Sequence, residues 1–253
     1  MIVMKIELDN NSAPSLKDFI EKNDIHGVGF DLDSTLLDTT RYYDLAFIMT
    51  GMAVAEMTKS SVPNEEIAIE IRNTAREIFV ENGNKPIPLT ELCHMAISRY
   101  RSEEFAIEAD SVVNEVLSFF YVESPELYPK TEEVLKYLKS FNLPVIVHSH
   151  SQQEWMDVKM SMIKDKTGIE FPYLATDISM EKDSESWKRA ASLLNLDVSE
   201  MLIVGDSLKS DIIPALEAGC QHVVWLNHFG KELPEELKGR VYVIEKIEDL
   251  LYL

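Results

Sequence analysis

The sequence predicts an α/β protein, a Rossmann-like parallel sheet covered by helices on both faces, with an all-helical segment inserted after the first central strand. Three observations lead there. Short apolar runs (GVGF, PVIVHS, MLIVGD, HVVWL) alternate with stretches of helical periodicity, the pattern of strands buried on both faces. Residues 42–121 break that alternation, with apolar positions recurring at three- and four-residue steps and almost no strand signal. At 253 residues, 45% of them hydrophobic, the chain can bury one large core together with a smaller one.

Residues 2–8 read as an edge strand and 15–23 (SLKDFIEKN) as a short helix. The GVGF strand follows and leads into Asp31. Within the helical segment, Ile67, Ile71, Ala75 and Ile78 share a face after Pro63, and Gly83 stops that helix. Thr90 is placed to cap the next helix, which carries Cys93, Ala96, Ile97 and Tyr100 on one side, and Phe105, Val112, Val116 and Phe120 mark a further one. About four helices are expected. Beyond Pro125 and Pro129 the alternation returns, with helices over 130–141, 152–166 and 185–194 and one ending at Gly219. Between and after them come the strands PVIVHS, 173–175, MLIVGD, HVVWL and 241–244. The expected domains are residues 1–40 with 125–253 as an α/β core, and 41–124 as a helical insertion.

Composition restricts the partners. Lys plus Arg number 24 against 44 Asp plus Glu, a formal charge of -20 that repels a nucleic-acid backbone or an anionic membrane surface. The longest apolar stretch, 46–55, is interrupted by Thr50 and Gly51 and falls short of the roughly 18 residues of a membrane span. Cys93 and Cys220 have no paired spacing, which fits a reducing compartment. The start, MIVMKIELDNN, lacks the layout of a signal peptide, so a cytoplasmic protein is expected. Oligomeric state has no legible signal.

The chemistry collects at strand ends. Asp31 and Asp33 follow GVGF two residues apart, and if the strand continued through both they would face one side. Two carboxylates held that close raise each other's pKa unless a cation or a proton intervenes. In open parallel sheets ligands sit outside the carboxyl ends of the strands. Ser149 ends one strand, Lys182 follows another, and Asp206 follows LIVG with Asp211 five residues on. Carboxylates, a hydroxyl and one ammonium converging there suit a hard divalent cation and a phosphate group.

The stretch FDLDSTLLD resembles the first motif of the haloacid dehalogenase superfamily, DxDx[TV], with Thr35 at its last position, and GDSLKSDIIPALEAG resembles the fourth, GDxxxxD. Ser149 matches the second motif and Lys182 lies at a suitable distance before Asp206 for the third. The resemblance implies a phosphatase with Asp31 as the nucleophile that becomes an aspartyl-phosphate. Asp33 would be the acid that protonates the leaving oxygen and then the base that activates water. It implies Mg²⁺ held by Asp31, the backbone carbonyl of Asp33, and Asp206, with Asp211 in direct or water-mediated support. Ser149 and Lys182 would hold the phosphoryl oxygens of a small phosphorylated substrate. The insertion between the first and second motifs matches a C1-type cap, which would close over the site, exclude water and carry substrate contacts. Only 32 residues separate Ser149 from Lys182, too few for the alternative cap of other members.

Several positions stay open on the sequence alone. Lys188 competes with Lys182 for the phosphate but sits on a helix, where a solvated lysine is expected. Ser34 stands where the family commonly has Gly, and His150 where it has Asn or Gly; His150, at the loop after the strand, is expected to reach the substrate phosphate with Ser149 and Lys182, whereas His148 reads as structural. The carboxylate at Asp33 separates the chain from the dehalogenases, which lack it, and leaves a phosphosugar mutase as the second reading. A phospho-accepting regulatory domain is a third, but such receivers lack a large insertion and need no acid two residues after the nucleophile.

Overall fold

The structure is a computed structural model that describes residues 4–5, 15–83 and 85–253. The chain forms two compact units, Met1–Asp38 with Glu126–Leu253, and Thr39–Pro125. The helices in chain order are α1 (Leu16–Lys22), α2 (Thr39–Thr58), α3 (Asn64–Glu81), α4 (Leu89–Tyr100), α5 (Glu103–Val122), α6 (Thr131–Ser140), α7 (Gln153–Thr167), α8 (Ser184–Ser192) and α9 (Ile213–Ala218). The strands are β1 (Met4–Lys5), β2 (Gly27–Phe30), β3 (Val145–His150), β4 (Tyr173–Thr176), β5 (Met201–Gly205), β6 (His222–Leu226) and β7 (Val241–Ile244).

Among the described residues all seven strands join one parallel sheet in the order β1-β7-β6-β5-β2-β3-β4. The edge strand expected over 2–8 is seen at Met4–Lys5, and its remainder lies outside the described residues. The two-residue side-chain period divides the sheet's residues between two cores. Val28, Phe30, Val145, Val147, Leu202 and Val204 belong to one, with α6 and α7. Ile146, Met201, Ile203, Val223 and Trp225 belong to the other, with α8 and α9. Strands with both faces covered must be apolar throughout, which is why the runs read as continuous rather than alternating.

β2 ends at Phe30, one residue short of the acidic pair, so the strand does not carry both aspartates on one face as the sequence suggested. The chain instead turns over Leu32–Leu37, where the Leu36 and Leu37 amides donate to the Leu32 carbonyl at 2.9 and 3.1 Å. Ser34 takes the left-handed conformation there, φ 62°, the reason this position favours glycine. His228 Nε2 lies 2.9 Å from the Ser34 carbonyl, and the Tyr128 ring lies 4.5 Å from that of His228. The insertion leaves and rejoins this unit at neighbouring points, since the Asp38 amide donates to the Glu126 carbonyl at 2.8 Å.

The second unit is all-helical, with a core that includes Phe47, Val54, Ile67, Ile71, Ile97, Phe105, Val113 and Leu117. Ser102 caps α5 by accepting from the Phe105 amide at 3.2 Å. Thr90 does not cap α4: the helix begins at Leu89, which leaves Thr90 inside its first turn and Pro88 at the cap position. α2 and α3 approach closely at Gly51, where an added Cβ would stand 2.6 Å from the Ala68 Cα. Tyr42 Oη lies 2.8 Å from both the Phe120 and Glu123 carbonyls and donates its proton between them, tying the start of the unit to its end. No helix of the described residues is long and apolar enough to cross a membrane.

Candidate active site

At the carboxyl ends of β2 and β5 the structure brings Asp31, Asp206 and Asp211 together, with one carboxylate oxygen from each lying within 4.8 Å of the others. Asp31 follows β2 directly, and its amide donates to the Val204 carbonyl of β5 at 2.9 Å. Asp206 follows β5, and its carbonyl accepts from Trp225 Nε1 at 2.8 Å. Asp211 reaches the group from a short π-helical turn, Leu208–Ile212, and one of its oxygens accepts from the Ser207 amide at 3.0 Å. That turn presses the carboxylate against the backbone of Gly205, where an added Cβ would stand 2.5 Å from Asp211 Cγ. The glycine before the acid is therefore a steric requirement of the cluster.

Lys182 is the cation of the group. Its Nζ donates to Asp31 Oδ1 and Asp211 Oδ1, both at 2.6 Å, with a side chain 1% exposed. Trp187 of α8 lies under it, 5.0 Å from Nζ to the ring centroid, and is itself held by a 3.2 Å bond from Nε1 to the Ser210 carbonyl. Lys188 is placed apart: it is exposed on α8 and pairs with Glu185 at 2.7 Å. Only one of the two candidate lysines thus meets the carboxylates.

Three carboxylates against one ammonium leave the cluster short of positive charge. Burial is the main cause that pushes Asp31 up to about 7; Lys182 opposes it and Asp211 adds to it. Asp206 is raised well above the carboxylate range, by burial first and then by Asp31 and Asp211. Burial disfavours the charge on Lys182, but Asp211 and Asp31 outweigh it, so its pKa rises. Asp31 Oδ2 is buried without a hydrogen-bond partner among the described residues. An orphaned buried acceptor beside two more carboxylates is a donor set that fits a hard divalent cation such as Mg²⁺.

Asp33 faces other partners. One of its oxygens accepts from Ser149 Oγ at 2.9 Å and the other from Lys159 Nζ at 2.5 Å. Its carboxylate is therefore not one of the clustered three, although it lies near enough to raise the pKa of Asp31. Ser149, at the end of β3, points to the Asp33 side, while His148, one residue earlier, points to the opposite side. His148 is buried with Nε2 2.9 Å from Thr176 Oγ1 and its ring edge-on to Trp187. Burial first, and then Lys182, holds its pKa well down, so it packs as a neutral ring. β3 runs on through His150, which is a strand residue rather than the loop residue the sequence suggested. It is half-buried, and its Nε2 has no hydrogen-bond partner among the described residues.

Two residues of this site carry little signal in the sequence. Lys159 leaves one trace, a charged residue on the inward face of its helix, at helical spacing from Met156, Met160 and Ile163. Trp187 shares the inward face of α8 with Ala190 and Ala191, a pattern that signals burial but not contact with a lysine.

A family model described as haloacid dehalogenase-like hydrolase matches residues 28–225 of the chain. The phosphoglycolate phosphatase of Neisseria gonorrhoeae is 27% identical over 212 residues, covering 79% of each chain. The glyceraldehyde 3-phosphate phosphatase of Pyrococcus abyssi is 28% identical over 238 residues, 88% of this chain and 90% of that one. Among solved structures, the HAD phosphatase of Thermococcus onnurineus superposes with a TM-score of 0.59 at 17% identity, covering 89% of this chain and 96% of that one. That last likeness bears on the fold alone.

Proposed function

The chain belongs to the haloacid dehalogenase-like hydrolases, and from that premise we propose that it is a Mg²⁺-dependent phosphomonoester hydrolase that works through a phosphorylated Asp31. The observation that carries the reading is Asp31 itself. Its Oδ1 is fixed by a buried lysine, its Oδ2 is buried without a partner among the described residues, and two further carboxylates complete a cation-binding set beside it. The activities for which the two phosphatase relatives are named support a small phosphorylated metabolite as substrate.

In this mechanism an Asp31 oxygen attacks phosphorus while the bond from phosphorus to the leaving oxygen breaks, and Asp33 supplies the proton that the leaving oxygen needs. Water then attacks the same phosphorus, gives its proton to Asp33, and releases Asp31 as a carboxylate together with inorganic phosphate. Lys182 holds the non-bridging oxygens, whose charge grows along the path, and Ser149, whose hydroxyl donates to Asp33, lines the site beside them. Asp31, Asp206 and the carbonyl of Asp33 would hold Mg²⁺, with Asp211 in support; the ion supplies hard positive charge against the transferring phosphoryl group. The Thr39–Pro125 helical unit, inserted between the nucleophile and Ser149, is proposed as the source of selectivity.

A screen of phosphomonoesters with phosphate release as the readout tests the reading. Multiple turnovers are expected with Mg²⁺, and their persistence in excess chelator, with metal removal verified, would refute it. A single phosphorylation without turnover would favour a regulatory domain. Replacing residues 39–125 by the corresponding segment of a relative is expected to re-order the substrate ranking while the chelator sensitivity stays; an unchanged ranking would place selectivity in the α/β unit.

Metal binding should also depend on pH in a defined sense. Burial raises the pKa of Asp31 to about 7 and raises that of Asp206, so the folded metal-free protein takes up protons there more readily than ordinary carboxylates do, and a cation competes with them. The gain in Tm on adding excess MgCl₂ is therefore expected to grow from about pH 5 to about pH 8, and to be lost in Asp206→Asn. A gain that is equal at both pH values contradicts the assignment.

A further inference from the structure

A buried ammonium is costly where Lys159 sits. α7 packs against the sheet through Met156, Met160 and Ile163, and Lys159 shares their inward face, with a side chain only 1% exposed. A methionine there would fill the same space without the desolvation cost that a buried ammonium carries. The ammonium is spent on one partner in particular. Its Nζ donates to Asp33 Oδ1 at 2.5 Å and stands 5.2 Å from the Trp155 ring centroid, while Ser149 Oγ donates to Asp33 Oδ2 at 2.9 Å. An aspartate has two side-chain torsions, and a donor on each oxygen, coming from α7 and from β3, fixes both. The site thus has two buried lysines with divided tasks, Lys182 on Asp31 and Asp211, and Lys159 on Asp33.

We propose that Lys159 is a positioning residue for catalysis: with Ser149 it fixes the orientation of the Asp33 carboxyl, so that the proton donor and acceptor of both steps is held in one place near Asp31. This rests on the phosphatase reading above. It concerns where the carboxyl group points, and Lys159 exchanges no proton and touches no substrate atom. A misaimed acid delays the step most when the leaving oxygen needs its proton most. Loss of Lys159 should therefore weigh on alkyl phosphates, whose alkoxides are poor leaving groups, and much less on the phosphorylation step with p-nitrophenyl phosphate, whose phenolate leaves unaided.

The test is a double-mutant cycle between Lys159→Met and Asp33→Asn, read as single-turnover phosphorylation rates and as kcat and KM. The esters are p-nitrophenyl phosphate and the alkyl phosphomonoester that ranks highest in the substrate screen. Lys159→Met is expected to lower kcat on the alkyl ester by about a hundredfold with KM nearly unchanged, and to lower the phosphorylation rate with p-nitrophenyl phosphate far less. In the Asp33→Asn background it should cost nothing further in rate, and should recover part of the Tm that Asp33→Asn loses, because it removes the stranded ammonium. Should Lys159→Met melt well below the wild type, Lys159→Gln, which keeps a neutral donor one bond shorter, enters the same cycle with a smaller expected loss. Equal losses on both esters, or losses that multiply with those of Asp33→Asn, would make Lys159 merely structural and overturn the inference. An active wild type with such multiplying losses leaves the phosphatase reading standing; a wild type without phosphomonoesterase activity overturns both.

Discussion

Asp31→Asn is expected to lower turnover by on the order of 10⁴-fold or more, as removal of a covalent nucleophile does, while the protein stays folded. The amide matches the carboxylate in shape, but its oxygen is a poor nucleophile, and Asp211, the other carboxylate on Lys182, has its second oxygen taken up by the Ser207 amide. Stability should not fall with activity. The pKa of Asp31 is raised from 3.8 to about 7, chiefly by burial, so between those values the folded protein holds a proton that the unfolded chain has lost. Ionisation of Asp31 therefore costs stability as pH rises through that window. An asparagine escapes that cost, and the metal-free variant should melt no lower than the wild type at pH 8. Retention of more than a few per cent of the wild-type kcat would remove Asp31 from its assigned role.

Lys182→Met is expected to lose both activity and stability. The ammonium lies between Asp31 and Asp211 at 2.6 Å from each, and without it those carboxylates face one another in a buried site. Removing one partner of a buried ionic group costs about 3–5 kcal/mol, because the remaining charges are stranded. Here the stranded groups are acids, so they can take up protons instead, and the loss should be full near pH 8 and much smaller near pH 5. Excess Mg²⁺ should restore part of it. Turnover should fall by about 10²–10³-fold, the usual effect of deleting a donor aimed at developing charge. Urea unfolding at the two pH values, with and without Mg²⁺, checks the sign; an equal loss at both would mean that Lys182 packs as a hydrocarbon rather than as the cluster's cation.

Much of this arrangement is legible in the amino-acid sequence. Parallel strands buried on both faces leave apolar runs that stop where polar chemistry starts, so GVGF and MLIVG mark Asp31 and Asp206 as residues at strand ends. The sequence favours Lys182 over Lys188 without deciding between them, and it is the packing that puts Lys182 on the carboxylates and Lys188 on Glu185. The rest depends on how elements meet. The turn after Phe30 rests on a left-handed Ser34 and on Leu32 carbonyl bonds that pull the chain out of the strand, and this directs Asp33 to different partners from Asp31. Lys159 lies ten residues beyond Ser149 on a helix, and only the packing of α7 on the sheet reveals that its ammonium ends at Asp33. At the start of α4 the helix takes Thr90 into its first turn, and Pro88 stands at the cap position instead.

The central claim, that phosphate passes through Asp31, can be tested directly by trapping it. Asp33→Asn still permits attack by Asp31 on an ester with a good leaving group but removes the base that releases the intermediate. After brief exposure of this variant to p-nitrophenyl phosphate with Mg²⁺ and rapid acid quench, peptide mass spectrometry should find one phosphoryl group, on Asp31, lost on treatment with hydroxylamine. A phosphoryl group on Ser149 or on a histidine, or none while p-nitrophenol is still released in a burst, would contradict the account.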